Sequence, residues 1–202
     1  MRSKLTQQQI SHAIAFHGHE CLGLWIGLRA AELCLEQLGH NDQEPLTVVT
    51  ETDMCGVDAI QVLTGCTFGK GNLIHRDYGK NAFSFYRQRD GKGLRAVLRP
   101  QATGAAGEQM RMLTQKIVAG QATDAEKQQA AELKEKTKAH LLNLSIAELF
   151  EVTAACHPPR AAKILDSLTC AACGESTMES RARLFSGGVY CIPCFKKVDQ
   201  KL

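Results

Sequence analysis

Near the C-terminus, Cys170 and Cys173 form one C-x-x-C pair and Cys191 and Cys194 form another, within CAACGESTMESRARLFSGGVYCIPC. The interval between the pairs lies in the range used by four-cysteine zinc sites. Two residues between paired thiols let a tight turn aim both sulfurs at one ion. The interval admits a hairpin, with Gly187 and Gly188 at its turn, that brings the second pair round to the first. A stretch this short cannot hold itself together by apolar burial, so zinc binding supplies its folding free energy. A thioredoxin-like use fits less well, because that motif normally stands as a single pair at a strand-to-helix turn.

With 202 residues the chain is long enough for one or two domains with a real core. A net charge of +3 suggests neither a polyanion partner nor a membrane surface. The N-terminal MRSKLTQQQISHAIAF has no apolar signal core, and no apolar run approaches the ~20 residues of a membrane span. A cytoplasmic protein is therefore expected. Its nine cysteines, an odd number, then point to metal ligands or reactive thiols before disulfides.

Thr6 with Gln9 forms a capping-box pattern ahead of Ile10, Ala13 and Ile14, which predicts a short helix ending before Gly18. From Leu22, the residues Trp25, Ile26, Leu33 and Leu38 recur at helical spacing, with Arg29, Glu32 and Glu36 on other faces and Gly39 as a stop. LTVVTETD from Leu46 reads as a strand, and GVDAIQVLTG after it as a buried helix closed by Gly65. NLIHRDYG, NAFSFYRQR and LRAVLR predict three strands in an antiparallel meander, turning at Asp90 and Gly91. Beyond Pro100, alanine, lysine, glutamate and glutamine favour long solvated helices, until Pro158 and Pro159 break the pattern. The expected fold class is α+β: an antiparallel sheet packed with helices over residues 1–100, a helical connection over 101–165 and the zinc module over 166–202.

In AFHGHECLGLWIGLRA, the donors His17, His19 and Cys21 alternate just ahead of a helix. Alternation in an extended segment points them to one side, where they can converge on one ion, and the helix N-terminus favours the thiolate of Cys21. The alternative is that the histidines only cap the helix or bond to backbone. Cys55 stands at a second helix start with Asp53 and Asp58 nearby, as a nucleophile or metal ligand. Cys55 and Asp58 are accordingly the candidate catalytic pair. Cys34 and Cys66 read as packing cysteines. TGCTFGKGN is one residue short of the Walker spacing and lies in the wrong element order, so a nucleotide triphosphatase is rejected. Lys70 and its glycines are left as a candidate anion-binding turn.

FHGHECLG, ETDMCGVDAIQVLTGCTFGKGNLIHRDYGKNAFSFY and the four-cysteine module, in that order, resemble the FmdE family, which comprises a component of formylmethanofuran dehydrogenase and its stand-alone relatives. The resemblance implies an α+β domain with a metal site, a helical connection and a zinc module, usually as a dimer. The family's His-Gly-His-x-Cys pattern falls on His17, Gly18, His19 and Cys21, and its Cys-Gly-x-Asp-Ala pattern on Cys55, Gly56, Asp58 and Ala59. Two departures are Leu22, where proline is frequent, and His75, where an apolar residue is more usual.

These readings lead to a metal-binding accessory protein or subunit, a homodimer, serving molybdenum or tungsten enzyme chemistry. Zinc is expected in the C-terminal module and a second transition metal, zinc, nickel or iron, at His17, His19, Cys21 and Cys55. With no pterin-binding architecture and no ferredoxin-type cysteine run, the chain is expected to act as an oxidoreductase subunit rather than to carry out that redox chemistry alone. One alternative is a stand-alone metalloenzyme with an open coordination position. The other is a nucleic-acid or polymerase-binding finger, since the terminal module is also similar to the DksA and TraR group. Arg181, Arg183, Lys196 and Lys197 lack interleaved aromatics and a dense basic stripe, which disfavours nucleic acid.

Overall fold

The computed structural model describes residues 3–160 and 163–198. The chain divides into two compact units, Met1–Ala161 and Ala162–Leu202.

Thr6 opens helix α1, Gln7–His17, with both hydrogen bonds of the capping box in place, and Gly18 closes it at φ 86°, in the left-handed region. Helix α2, Leu22–Gln37, starts immediately beyond that corner. Strand β1, Leu46–Thr50, feeds helix α3, Gly56–Thr64, which Gly65 ends at φ 71°. The chain then enters β2, Leu73–His75, which lies parallel to β1. β3, Ala82–Arg87, and β4, Gly93–Leu98, form an antiparallel hairpin, and β3 also pairs antiparallel with β1. With β5, Phe150–Ala154, the sheet runs β2-β1-β3-β4-β5.

Two expectations are corrected here. The three strands are not a meander, because parallel neighbours need a crossover: α3 carries the chain from β1 to β2 at the sheet edge, so only β3 and β4 form a hairpin. Nor do the other faces of α2, which carry Arg29 and Glu32, escape the core, since every residue of α2 from 24 to 34 is buried. The cause is crowding. α1, α3 and α5, Asp124–Asn143, all pack on α2, which shares one core with Val48, Phe83, Phe85 and Ala96 of the sheet. Arg29 is accommodated because Nη1 donates to Glu32 Oε2 at 2.7 Å and Nη2 to the Leu144 carbonyl at 2.6 Å, while Glu32 also accepts from Ser3 Oγ and the Lys4 amide.

Helices α2 and α3 cross in backbone contact. A Cβ built on Gly27 would lie 2.1 Å from the Gly56 carbonyl oxygen, so only glycine permits this approach. Residues beyond 100 belong to the same unit: α4, Gly104–Val118, packs on α5, and β5 completes the sheet beside β4 after a one-turn helix α6, Ile146–Leu149. α5 buries Ala130, Leu133, Thr137 and Leu141 along one face and leaves most of its charges exposed. Among the described residues, no helix is long and apolar enough to cross a membrane.

The second unit is a pair of hairpins: β6, Ser167–Thr169, with β7, Ser176–Met178, and β8, Ala182–Phe185, with β9, Gly188–Cys191. Ser186 and Gly187, both at positive φ, make the tight turn of the second hairpin. A short helix α7, Ile192–Phe195, follows.

Candidate metal centres

In the second unit, each cysteine pair sits where a hairpin ends. Cys170 and Cys173 occupy the turn between β6 and β7, where the Gly174 amide donates to the Cys170 carbonyl. Cys191 closes β9 and caps α7, whose second residue is Pro193, and Cys194 lies one turn on. The four Sγ atoms lie within 4.8 Å of one another. The Cys191 amide donates to Cys170 Sγ at 3.3 Å. That bond and the Cys173 amide hold the Cys170 thiol down to about 6, whereas the adjoining Cys191 and Cys173 thiols push Cys194 up to about 12. Crowding by neighbouring thiols also raises Cys173, and a bound dication would offset the repulsion among four close thiolates. The donor set and its closeness fit tetrahedral zinc.

The second cluster lies at the corner between α1 and α2. One donor atom from each of His17, His19 and Cys21 falls within 4.8 Å of the others. Their convergence is not the strand-like alternation expected. His17 is the last residue of α1, Gly18 turns the chain, and Cys21 is the N-cap of α2, its sulfur accepting from the Leu24 amide at 3.4 Å. Three elements therefore aim the donors. His17 Nδ1 is 2.7 Å from Asp58 Oδ2 in the first turn of α3, and His17 Nε2 is 3.7 Å from Cys21 Sγ. The His17 and His19 rings lie 4.4 Å apart between centroids, tilted by 35°.

Cys55, the N-cap of α3, stands beside Cys21 but outside the mutually close trio. A Cβ on Gly23 would lie 3.2 Å from Cys55 Cβ and within ordinary contact of both sulfurs, so the starts of α2 and α3 meet closely at Gly23. Burial raises the Cys55 thiol above its usual range and the Cys21 thiol raises it further. This runs against the thiolate expected from the helix start alone. Asp58, expected from the sequence to be catalytic, here bonds the His17 imidazole from the first turn of α3.

Sequence reasoning missed what fixes the corner. Glu20 Oε1 accepts from Trp25 Nε1 at 2.9 Å and pairs with Lys138 Nζ at 2.5 Å, and Lys138 lies 4.9 Å above the Trp25 ring. Burial acts to raise the Glu20 carboxyl, but Lys138 and Trp25 outweigh it and hold the group below the usual carboxylate range. Glu20 thus ties the segment carrying His19 and Cys21 to α5, more than a hundred residues away.

Other candidates lie elsewhere. Lys70, the candidate of the anion-binding turn, follows α3 at the end opposite Cys55, and its Nζ donates to the Gly65 carbonyl at 3.0 Å. Cys66 is buried beside Asn41, and burial pushes its thiol up to about 11; burial raises Cys34 further still. Both are packing cysteines. His75 is exposed at the end of β2, and Asp53 is exposed ahead of α3.

An α+β unit with a histidine and cysteine pocket at a helix corner, followed by a four-cysteine zinc finger, is the class of protein that the fold and these centres define. The chain belongs to the FmdE family: the model described as FmdE, Molybdenum formylmethanofuran dehydrogenase operon, matches residues 16–151. The prokaryotic dksA/traR C4-type zinc finger matches residues 164–200. The chain is similar to a Probable S-adenosyl-L-methionine-binding protein of Archaeoglobus fulgidus, 29% identical over 190 residues, covering 90% of this chain and 52% of that protein. It spans about half the length of that curated relative. In fold it is similar to a tungsten formylmethanofuran dehydrogenase FmdE-like protein from Syntrophus aciditrophicus, with TM-score 0.62 and 22% identity over 96% of this chain and 94% of the other.

Proposed function

We propose that this FmdE-family protein binds a second transition metal at the α1–α2 corner and serves molybdenum or tungsten enzyme chemistry as an accessory protein or subunit. The observation that carries the reading is His17, whose Nδ1 is taken by Asp58 while Nε2 faces Cys21 Sγ. A ligating imidazole commonly has its other nitrogen held by a carboxylate, which fixes tautomer and ring orientation. His17, His19 and Cys21 would hold the ion, with Cys55 the nearest further thiol. Borderline imidazole and soft sulfur fit zinc, nickel or iron, and do not fit magnesium or calcium. Such an ion supplies Lewis acidity when bound.

The accessory role is supported by the molybdenum operon in the family's description and by the tungsten enzyme in the description of the Syntrophus protein. It is tested by tagging the chain in its native host and measuring molybdenum and tungsten in what co-purifies. Enrichment of either with a pterin-bearing enzyme is expected, and a tagged chain that recovers neither contradicts the accessory reading. The metal pocket is tested separately, by titrating zinc into metal-free protein. Two classes of site are expected, one of them lost in His17→Ala.

A further inference from the structure

Beside the corner, a cleft of about 740 Å³ opens between α4, the end of β4 and the first turn of α2. It exists because α4 rests chiefly on α5 and stands off the sheet. The sequence around it, from Pro100 into α4, reads only as a solvated helix and gives no sign of a pocket.

The chemistry of the walls is lopsided. Leu22, Val97 and Met110 line it with half-buried apolar surface, and Lys80, Arg99 and Arg111 add three cations against the single acid Glu108. Among the described residues, neither Lys80 nor Arg111 has an ion-pair partner, and the Arg99 side chain bonds only from Nε to the Ala147 carbonyl. Glu51, which feels the Lys80 charge, is already held by both nitrogens of the Arg95 fork. Cations left unpaired around a concave apolar surface favour a ligand with an anionic head and an apolar body.

We infer that this cleft binds an anionic amphiphile, its carboxylate or phosphate head held by Lys80, Arg99 and Arg111 and its body lying on Leu22, Val97 and Met110. Leu22 directly follows Cys21, so a ligand lying there borders the proposed metal pocket. The binding itself does not depend on that pocket.

The test is methyl-resolved NMR on the full chain titrated with octanoate, octyl phosphate and the neutral 1-octanol. Octanoate or octyl phosphate is expected to shift the Leu22, Val97 and Met110 methyls, with the tighter of the two identifying the head group. Arg111→Glu, on an exposed helix position, is expected to weaken that anion at least tenfold and leave 1-octanol unchanged. Anions that bind no tighter than 1-octanol, shifts confined to other methyls, or an Arg111→Glu variant with unaltered anion affinity would each overturn the inference. His17→Ala separates the two proposals: anion binding retained in that variant, whatever its metal content, supports the cleft, and anion binding lost with the metal overturns it as an independent site.

Discussion

Asp58 Oδ2 lies 2.7 Å from His17 Nδ1, joining the first turn of α3 to the last turn of α1. The two residues stand 41 positions apart. If the pair orients a metal ligand, Asp58→Asn keeps the packing but weakens metal binding by about 10- to 100-fold, with the far-ultraviolet spectrum unchanged. Competition titration against a chelator measures it. Undiminished affinity would reduce the contact to a surface ion pair.

The α2–α3 crossing has no room for a side chain at Gly27. Gly27→Ala is expected to destabilise the first unit by about 2–3 kcal/mol, because the added methyl meets backbone that cannot rotate away. Urea unfolding should show the loss together with a weakened metal pocket, since the crossing also brings Cys55 beside Cys21. Wild-type stability would mean that the helices separate at little cost.

The Arg95 hydrogen bonds hold the Glu51 carboxyl below the usual glutamate range. An acid depressed in the folded state contributes stability above its unfolded pKa and loses it as pH falls through the folded one. Glu51→Gln should therefore cost about 2 kcal/mol at neutral pH, with the gap to wild type narrowing below about pH 4 and closing in stronger acid. Denaturant curves at pH 7 and in acid check this, and a gap of constant size would contradict it.

Cys173→Ser opens the four-sulfur tetrahedron, so the variant should lose its zinc and unfold the second unit, whose hairpins bury little apolar surface. The first unit, with its own sheet and core, should keep its thermal transition. Stoichiometric zinc in an intact module would sink the claim.

The parts of this molecule set by local chemistry were legible in its sequence. Thr6 and Gln9 cap α1, Gly18 and Gly65 close their helices, and doubled C-x-x-C spacing marks the zinc finger. What depends on distant neighbours was not. β5 escaped notice because only Phe150 of its five residues is buried, leaving no alternation to read at a sheet edge. Arg29 and Glu32 look like a wet face until α1, α3 and α5 close over them. The donors of the corner were found, but for a partly wrong reason: His17 ends a helix, and Glu20 and Asp58 do the positioning that alternation was expected to do.

The corner of α1 and α2 is proposed as a metal centre distinct from the zinc finger. Elemental analysis of protein purified without added metal, beside His17→Ala and Cys55→Ser, tests it most directly. About two metal equivalents per chain are expected in wild type and about one in His17→Ala, with the four-cysteine zinc retained, and a reduced second metal in Cys55→Ser. If both variants carry the second metal at full occupancy, or wild type carries zinc in the finger alone, the pocket is not a metal site.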